Sequence, residues 1–328
     1  MAPIPFIDLP SGYKMPTIGL GTFETKDEKD VELALNNAIE AGYRYIDTAL
    51  VYENEVQIGK ALKKLFDSGK IKREDLFITT KLPVYGVRAS SVEEYMKKSL
   101  ENLGLDYVDL YLIHFPVCIN LGDRPLFDPN AKPQTFETEI TDHIAVWKKM
   151  EEQVDAGRTR SIGLSNFTVK QIEKILKSKP KYKPANLQIE IHVYFQQHDL
   201  VDYCHKNGIS VTAYAPLSSP GMNDFLISLG FEPKQVPNLF TDKTIKAIGK
   251  KHNKTNAQIA LRYLHQRNII VIPKSIESSM LKENMNILNF ELDSKDMDAL
   301  NSLDMGAKGR IINWDLFPGL EKNPEYPF

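Results

Sequence analysis

Four side chains near the ends of three short apolar segments have types that together could move a proton. They are Asp47 and Tyr52 in YIDTALVYENE, Lys81 in ITTKLP and His114 in YLIHFP. A buried ammonium needs an acid beside it, and Asp47 has the right type to be the partner of Lys81. The same ammonium would lower the pKa of a neighbouring tyrosine from its usual value of about 10. We expect Tyr52 to act as a general acid while His114 donates a hydrogen bond to a substrate carbonyl.

Each of these residues, taken alone, also has an ordinary structural explanation. A tyrosine in a loop after a strand usually packs, and a lysine at a strand end is usually a solvated charge. A histidine in an apolar strand is more often a satisfied core residue, and Asp47 before Thr48 would suit a turn or a cap. The functional interpretation therefore depends on all four types occurring together at successive strand ends, which chance rarely produces.

The elements that position these residues alternate along the chain. From about residue 28 to residue 290, short β-branched runs alternate with longer amphipathic segments. With a weaker strand at MPTIGLGT, the predicted strands are RYIDTA, DLFITTKL, VDLYLIHF, RSIGLSNF, NLQIEIHVYF, ISVTAYAPL and IIVIPKS. We predict an α/β fold, a (β/α)8 TIM barrel, as one domain over residues 1–328. In such a barrel all four side chains meet at the rim formed by the C-terminal strand ends.

Local signals indicate where the helices begin and end. Thr168-x-x-Gln171 and Thr255-x-x-Gln258 are typical of capping boxes. Helix ends are predicted at Gly42, Gly104, Gly157 and Gly208. In the first helix the apolar residues recur at helical spacing, which predicts that they pack on the outer face of the barrel; they are Val31, Leu35, Ala38 and Ile39.

Irregular segments break the alternation at both ends and at two points on the predicted rim. Residues 1–16 predict an N-terminal β-hairpin around Ser11-Gly12 that plugs the opposite end of the barrel. Residues 116–140 and 218–239 follow strands directly and are rich in Gly, Pro and Asn, so they form long rim loops that shape a pocket. Residues 305–328 form a C-terminal loop and tail.

Composition excludes several classes of function. Hydrophobic residues make up 42% of the chain, which is ample for a core, and the net charge of −2 offers no basic surface for nucleic acid or an anionic membrane. No apolar run approaches membrane-spanning length. Cys118 and Cys204 cannot form a disulfide framework, and the N-terminus lacks a secretory pattern, so we expect a protein of the cytoplasm. We also expect a monomer.

Several motifs, in their order and spacing, together resemble the aldo-keto reductases over nearly the whole chain. They are GLGT (19–22), YRYIDTA (43–49), Tyr52, ITTKL (78–82), DLYLIHFP (109–116), GLSNF (163–167), Gln188, IPKS (272–275) and the YPF tail. GLGT alone is weak and is not the GxGxxG of a dinucleotide-binding fold. The resemblance implies reduction of aldehydes and ketones, with hydride from the nicotinamide C4 and a proton from Tyr52. It implies that Lys81 and Asp47 tune that acid and that His114 orients the carbonyl.

The resemblance also implies a cofactor site. Ser165, Asn166 and Gln188 match the residues that hold the nicotinamide carboxamide, and Tyr214 matches the ring stacked on it. GLSNF is equally compatible with a capped turn, and Tyr214 with core packing. The implied cofactor contacts are Gly21, Thr22, Asp47, Ser165, Asn166, Gln188, Tyr214, Leu217, Ser219, Lys274, Ser275, Ile276, Glu283 and Asn284.

Lys274 and Ser275 match the positions that grip the 2′-phosphate of NADPH in relatives, so the resemblance implies NADPH/NADP+ as the cofactor. This chain departs from the pattern at Met280, where the family commonly has arginine, and Glu277 adds a negative charge nearby. Loss of a bidentate arginine weakens phosphate selectivity by about 1 to 3 kcal/mol. NADH therefore remains open as a second cofactor.

The resemblance implies a pocket that binds a small-molecule carbonyl substrate and holds no metal. The pocket residues that it implies are Phe23, Tyr52, His114, Phe115 and Trp314. Phe23, Pro83 and Phe115 stand where related aldose reductases often have tryptophans, which leaves room for a larger substrate.

The tail and the loops resemble insect members of the family, some of which reduce ecdysteroid ketones, so a steroid-like ketone is a candidate. Aromatic aldehydes, sugars and isoprenoids stay open. His114 favours carbonyl reduction, because the branch that reduces steroid double bonds usually has glutamate there. The tail carries apolar side chains that either close over a ligand or pack on the barrel, namely Ile311, Ile312, Trp314, Leu316 and Phe317.

Two other classes of function fit part of this pattern. A barrel that binds the cofactor but turns over poorly would act as a binding or regulatory protein, and turnover of a reactive aldehyde separates it from an enzyme. A metal-dependent hydrolase or lyase would use Asp47 and His114, but no second histidine or carboxylate stands in an obvious ligand position. Sensitivity of activity to chelators would distinguish it.

Overall fold

The structure, a computed structural model, describes residues 4–122, 135–228, 230–233, 235, 237–314 and 317–328. The rim loops predicted at 116–140 and 218–239 are described in part, and Leu316 of the predicted tail lies outside the described residues.

Strands and helices alternate through the described residues. The strands are β1 (Phe6–Asp8), β2 (Lys14–Pro16), β3 (Leu20–Gly21), β4 (Tyr45–Asp47), β5 (Phe77–Leu82), β6 (Val108–Ile113), β7 (Cys118–Asn120), β8 (Glu137–Glu139), β9 (Thr159–Ser165), β10 (Asn186–Glu190), β11 (Ser210–Tyr214) and β12 (Ile269–Val271). The helices are α1 (Glu28–Ala41), α2 (Glu55–Asp67), α3 (Val92–Leu103), α4 (His143–Asp155), α5 (Val169–Lys177), α6 (His198–Lys206), α7 (Met222–Ser228), α8 (Lys243–His252), α9 (Asn256–Gln266), α10 (Ser278–Met285) and α11 (Ser294–Asn301).

Eight of the strands form a parallel sheet in the order β3-β4-β5-β6-β9-β10-β11-β12. A parallel bridge between Ile18 and Val271 joins the first and last of them, and Gly19 N donates to Val271 O at 2.9 Å. The predicted (β/α)8 barrel is therefore confirmed. Gly19 is required at this closure because a Cβ there would lie 2.3 Å from the ring of Tyr45.

The predicted helix signals are confirmed. Val31, Leu35, Ala38 and Ile39 of α1 are buried against the barrel, and Gly42 ends this helix in the left-handed conformation at φ 100°. Both predicted capping boxes form, at the starts of α5 and α9. One strand prediction was too long, because β10 ends at Glu190 and the following residues form a tight turn between His192 and Phe195.

The N-terminal hairpin lies at the end of the barrel opposite the predicted site. β1 and β2 pair antiparallel, with Phe6 opposite Pro16. Met15 is fully buried among barrel residues such as Tyr45, and Ser11 Oγ hydrogen-bonds Ser161 Oγ at 2.7 Å near the start of β9. The predicted plug is thus confirmed. On the rim, β7 and β8 form an antiparallel pair that sequence reasoning had assigned to an irregular loop.

Across the residues that the structure describes, none of the helices combines the length and the apolar character that a membrane crossing requires.

Candidate active site

The four predicted catalytic residues converge at the C-terminal rim of the barrel. Asp47 is the last residue of β4, Lys81 lies near the end of β5, and His114 follows β6 directly. Tyr52 ends a single 3-10 turn, Leu50–Tyr52, which begins shortly after Asp47. Neighbouring parallel strands therefore bring together residues that lie up to 67 positions apart in the sequence.

The Lys81 ammonium is completely buried, and each of its three hydrogens has an acceptor. Nζ donates to Asp47 Oδ1 at 2.6 Å, to the carbonyl oxygen of Thr48 at 2.9 Å and to the hydroxyl oxygen of Tyr52 at 3.2 Å. A buried charge that is fully paired in this way holds its position and orients its neighbours. The hydroxyl of Tyr52 is therefore directed by the lysine rather than by solvent.

The Asp47 carboxylate is held from several sides. Besides Lys81, it accepts hydrogen bonds at Oδ2 from Gln188 Nε2 at 2.7 Å and from the Tyr45 hydroxyl at 3.1 Å. Its backbone carbonyl accepts from the hydroxyl of Thr22 at 2.9 Å. Because Gln188 comes from β10, the carboxylate links distant strands of the barrel across its interior.

The pKa of Tyr52 moves in the direction opposite to the sequence-based expectation. Burial raises the pKa of this phenol, Lys81 lowers it, and Asp47 raises it again, so the net value lies above the ordinary one. The expectation of a lowered pKa was wrong because it counted the ammonium without the burial of the phenolate and the second charge. Tyr52 therefore stays protonated at neutral pH, as a proton donor must.

Opposing effects also act on the pKa of Lys81, whereas two effects act in the same direction on the pKa of His114. Burial lowers the pKa of Lys81, but Asp47 and Tyr52 outweigh it and leave the pKa above its ordinary value. Burial and the nearby Lys81 charge both push the pKa of His114 well below its usual range. His114 is thus a neutral imidazole with one N–H to donate, and its ring lies 5.7 Å from that of Tyr52.

The loop that carries Tyr52 is fixed by Asn54, a residue that sequence reasoning missed. Its fully buried side chain donates to the carbonyl oxygens of Thr22 at 2.8 Å and Thr25 at 3.0 Å. It also accepts from the hydroxyl of Thr48 at 3.1 Å. Asn54 therefore ties the loop after β3 to the loop after β4.

A cavity of about 430 Å³ opens above these residues. Asp47, Tyr52, His114 and Gln188 lie in its lining, and most of the remaining lining is apolar. The apolar and aromatic lining residues are Phe23, Val51, Val84, Tyr214, Leu217, Met222, Phe225, Leu226, Ile272, Ile311, Ile312, Trp314 and Phe317. A few polar groups at one point of an apolar cavity suit a mostly apolar ligand with one reactive polar group.

The predicted pocket residues separate into two groups. Phe23 and Trp314 line the cavity, with the Phe23 ring 5.1 Å from that of Tyr52 and the Trp314 ring 5.5 Å from that of His114. Phe115 does not line it, which corrects the prediction. Its side chain is fully buried behind Trp314, at a ring distance of 4.3 Å, and packs in a cluster with Val117 and Ile119.

The structure also shows lining residues that sequence reasoning did not single out. Val51 and Val84 lie in the short 3-10 turns that come soon after the ends of β4 and β5, so position on the barrel was a usable signal. Met222, Phe225 and Leu226 belong to α7 in the rim loop that follows β11. Their presence depends on how that loop folds back, for which the sequence has no periodic signal.

Of the three residues predicted to hold a carboxamide, Asn166 and Gln188 line the cavity. Asn166 Nδ2 donates to the carbonyl oxygen of His114 at 2.9 Å and to Ser165 Oγ at 3.1 Å, while Asn166 Oδ1 accepts from the Tyr214 hydroxyl at 2.8 Å. Ser165 is buried and does not line the cavity. Both amide hydrogens of Asn166 are thus used within the protein, and its carbonyl oxygen keeps a second lone pair that can accept from a carboxamide N–H.

The residues predicted to contact the rest of the nucleotide divide into two groups. Gly21, Thr22, Leu217, Ser219 and Lys274 line the cavity. Four others lie outside its lining: Ser275 and Ile276 precede α10, and Glu283 and Asn284 belong to its last turn.

Contacts within the protein already involve some of the residues near α10. The Ser275 hydroxyl accepts from the backbone N–H of Glu277 at 3.1 Å, and Glu283 accepts from the hydroxyl of Thr255 at 2.7 Å. Lys274 is exposed at the edge of the cavity, close to the N-terminus of α10. A cation beside a helix N-terminus is suited to an anionic group.

The fold and this site define a (β/α)8 barrel with a tyrosine, a buried lysine–aspartate pair and a histidine at one rim, and comparison with known proteins shows its family. The model of the Aldo/keto reductase family matches residues 17–305. The chain is 41% identical over 328 residues to dihydrodiol dehydrogenase 3 of Bos taurus, covering 98% of this chain and 97% of that one. It is 39% identical over 326 residues to prostaglandin F synthase 1 of Bos taurus, covering 98% and 97%. The solved aldose reductase of Schistosoma japonicum matches with a TM-score of 0.86 and 38% identity, covering 99% of each chain.

The chain belongs to the aldo/keto reductase family. The resemblance inferred from its motifs is thereby confirmed. The protein is an oxidoreductase that reduces carbonyl compounds with NADPH or NADH.

Proposed function

We propose that the protein reduces an apolar aldehyde or ketone to an alcohol, with Tyr52 as the general acid and NADPH as the preferred cofactor. The observation that carries this proposal is the buried hydrogen-bond chain from Asp47 through Lys81 to the Tyr52 hydroxyl, beside the cavity and opposite His114. This series of hydrogen bonds presents one proton donor to a carbonyl oxygen.

Each residue at the base of the cavity has a distinct role in the proposed reaction. The neutral His114 donates a hydrogen bond to the carbonyl oxygen and positions it near Tyr52. As negative charge develops on that oxygen, Tyr52 transfers its proton, and the Lys81 ammonium stabilises the phenolate that remains. A bound nicotinamide supplies the hydride. The apolar walls exclude water from the reacting centre.

The preference for NADPH is supported by the region around Lys274. The Lys274 ammonium and the start of α10 favour an anionic phosphate, and Ser275 adds a hydroxyl. Met280 and Glu277 weaken this preference, so we propose that NADH is also accepted, less efficiently. We propose that the other cofactor residues predicted from the sequence also contact the bound nucleotide.

The substrate class is proposed from the cavity. Its lining is dominated by aliphatic and aromatic side chains from α7 and the tail, which favours a bulky apolar carbonyl compound such as a steroid-like ketone. The names of the mammalian relatives, which refer to dihydrodiols and prostaglandins, are compatible with ligands of that size. The working unit is proposed to be one barrel domain over residues 1–328, monomeric and cytoplasmic.

The experiment that tests the function measures the initial rate of NADPH oxidation with 4-nitrobenzaldehyde, with NADH in parallel. Turnover with NADPH dominant supports both the reaction and the phosphate site. Saturable binding of NADPH without turnover of this aldehyde or of a panel of ketones would contradict the reductase function and favour a cofactor-binding protein.

The rate of reduction is expected to stay flat between about pH 6 and pH 9. A general acid works in its protonated form, which is fully populated below its pKa, and the pKa of Tyr52 lies above its ordinary value of about 10. His114 has a pKa well below its ordinary value of about 6.5, so it does not change charge in this range. Measurement of kcat/KM against pH checks this. An inflection near pH 6.5 would contradict the lowered pKa of His114 or show that another group controls the reaction.

Changing Met280 to arginine is expected to raise the preference for NADPH over NADH by about tenfold, the scale of one charge-assisted hydrogen bond. Met280 is 56% exposed in the first turn of α10, so the substitution costs little packing. The ratio of kcat/KM for the two nucleotides measures the effect. A matched control is Lys282→Arg, on an exposed position of the same helix where a cation is already present. An unchanged ratio in M280R would remove this position from the proposed phosphate site.

A further inference from the structure

Glu190, the last residue of β10, is a completely buried carboxylate that the proposed reaction does not use. It is two residues after Gln188, so both side chains point to the same side of the strand. Gln188 reaches Asp47 in the barrel interior, whereas Glu190 lies one layer closer to the rim. A buried charge is retained only where it is paired or hydrogen-bonded, so its partners indicate what it does.

Those partners are in the C-terminal tail. Oε1 of Glu190 accepts from the backbone N–H of Ile311 at 2.6 Å, and Oε2 accepts from the backbone N–H of Ile312 at 2.8 Å. The two residues are 121 and 122 positions away in the sequence and lie outside any helix or strand. Charge-assisted bonds of this length are the strong class of hydrogen bond.

A third donor completes the hydrogen bonding of the Glu190 carboxylate. His192, also fully buried, lies 3.0 Å from Oε1 through Nε2. Its other ring nitrogen accepts from the backbone N–H of Tyr194 at 3.3 Å, which places the proton of the neutral ring on Nε2. Glu190 therefore accepts three hydrogen bonds, and His192 orients it toward the tail.

The tail segment held in this way forms a wall of the substrate cavity. Ile311, Ile312, Asn313 and Trp314 all line it. Ile311 and Ile312 also pack against Met222 and Leu226 of α7, a second element of the rim that lines the cavity. The Glu190 carboxylate thus sets the position of the tail wall directly, and that of the α7 wall through the packing of the tail on α7.

We propose that Glu190 is a positioning residue that fixes the tail over the pocket and thereby determines how strongly the enzyme discriminates among apolar substrates. This inference rests on the proposed carbonyl reduction. Glu190 does not touch the reacting atoms, so its loss changes the apolar walls and leaves the proton-donating groups in place.

Glu190→Gln tests the proposal. The glutamine carboxamide keeps one oxygen, but its NH₂ group opposes a backbone N–H of the tail, which releases Ile311 or Ile312. With wild type we expect KM to fall along a series of n-alkanals from hexanal to decanal, since each added methylene contacts the walls. In E190Q we expect this dependence to flatten, with KM for decanal raised about tenfold and kcat for hexanal changed by no more than about twofold.

A second readout does not depend on activity. The chain has two tryptophans, and since Trp147 is buried with 1% exposure, acrylamide quenching reports mainly on Trp314 in the tail. We expect the quenching constant to rise by about twofold in E190Q as the tail loosens. Glu173→Gln is the matched control, because it removes the same charge from a half-exposed position on α5, where the side chain pairs with Lys177. Unchanged quenching and an unchanged alkanal series in E190Q would overturn the proposal.

Hydrogen exchange on the wild-type protein covers the case in which E190Q does not fold. The amides of Ile311 and Ile312 are expected to exchange at least about a hundredfold more slowly than those of exposed tail residues, although they belong to no helix or strand. Exchange of these two amides at the rate of an exposed amide would show that Glu190 does not hold the tail. If wild type reduces no carbonyl compound, the proposed function fails, while quenching and exchange still decide whether Glu190 holds the tail.

Discussion

Tyr52→Phe is expected to lower kcat for carbonyl reduction by about 10²- to 10⁴-fold, the usual contribution of a positioned general acid. Phenylalanine keeps the ring contacts with Phe23 and His114 and removes only the hydroxyl that Lys81 holds at 3.2 Å. The dissociation constant for NADPH should stay within about threefold of wild type, since no cofactor contact is assigned to that hydroxyl.

The measurement combines steady-state rates with 4-nitrobenzaldehyde and a fluorescence titration of NADPH. Tyr85→Phe is the matched control, because Tyr85 is another partly buried tyrosine on the same side of the barrel whose ring packs on Tyr95 and which does not line the cavity. Its rate is expected to stay within about twofold of wild type. If Y52F kept more than a tenth of wild-type activity, the proton would have to come from another group or from water.

Lys81→Met is expected to abolish measurable reduction and to lower the free energy of unfolding by about 3 kcal/mol. Removing one partner of a buried ion pair leaves the other charge without compensation, which typically costs about 3 to 5 kcal/mol. We place the loss at the lower end because Asp47 retains hydrogen bonds from Gln188 and Tyr45. Activity is lost for a separate reason, since nothing then stabilises the Tyr52 phenolate.

Urea unfolding and turnover of an aldehyde measure the two effects independently. The control is Lys64→Met, which breaks an ion pair with Glu32 at the same 2.6 Å separation but with side chains that are 56% and 38% exposed. An exposed pair contributes about 0 to 1 kcal/mol, so this variant should remain stable and active. The double variant Asp47→Asn with Lys81→Met should regain part of the stability and none of the activity. Equal destabilisation by K81M and K64M would contradict the role assigned to the buried pair.

Much of the fold was predictable because its signals are local. The β-branched runs mark the strands, and the Thr168 and Thr255 capping boxes form where the side-chain types indicate. The hairpin around Ser11-Gly12 likewise follows from short-range turn chemistry. One exception is the run after Glu190, where alternating apolar residues continue but the chain turns back on itself; another is the β7–β8 pair in a segment predicted as an irregular loop.

The candidate site was predictable to the extent that it depends on strand ends. Asp47, Lys81 and His114 meet because parallel strands of one barrel end at one rim, so their types and their positions in the sequence were enough to bring them together. The family resemblance then added the cofactor residues that no local pattern could indicate.

Only the tertiary structure decided the direction of the Tyr52 pKa, the burial of Phe115 behind Trp314, and the bonds from Glu190 to the tail. Each of these depends on how closely groups from separate segments pack, and sequence spacing says nothing about such distances. A pKa is a balance of burial and charges that are placed by the whole barrel. Residue types and their order therefore determined which chemistry is available, and packing determined which groups face the pocket and how its walls are held.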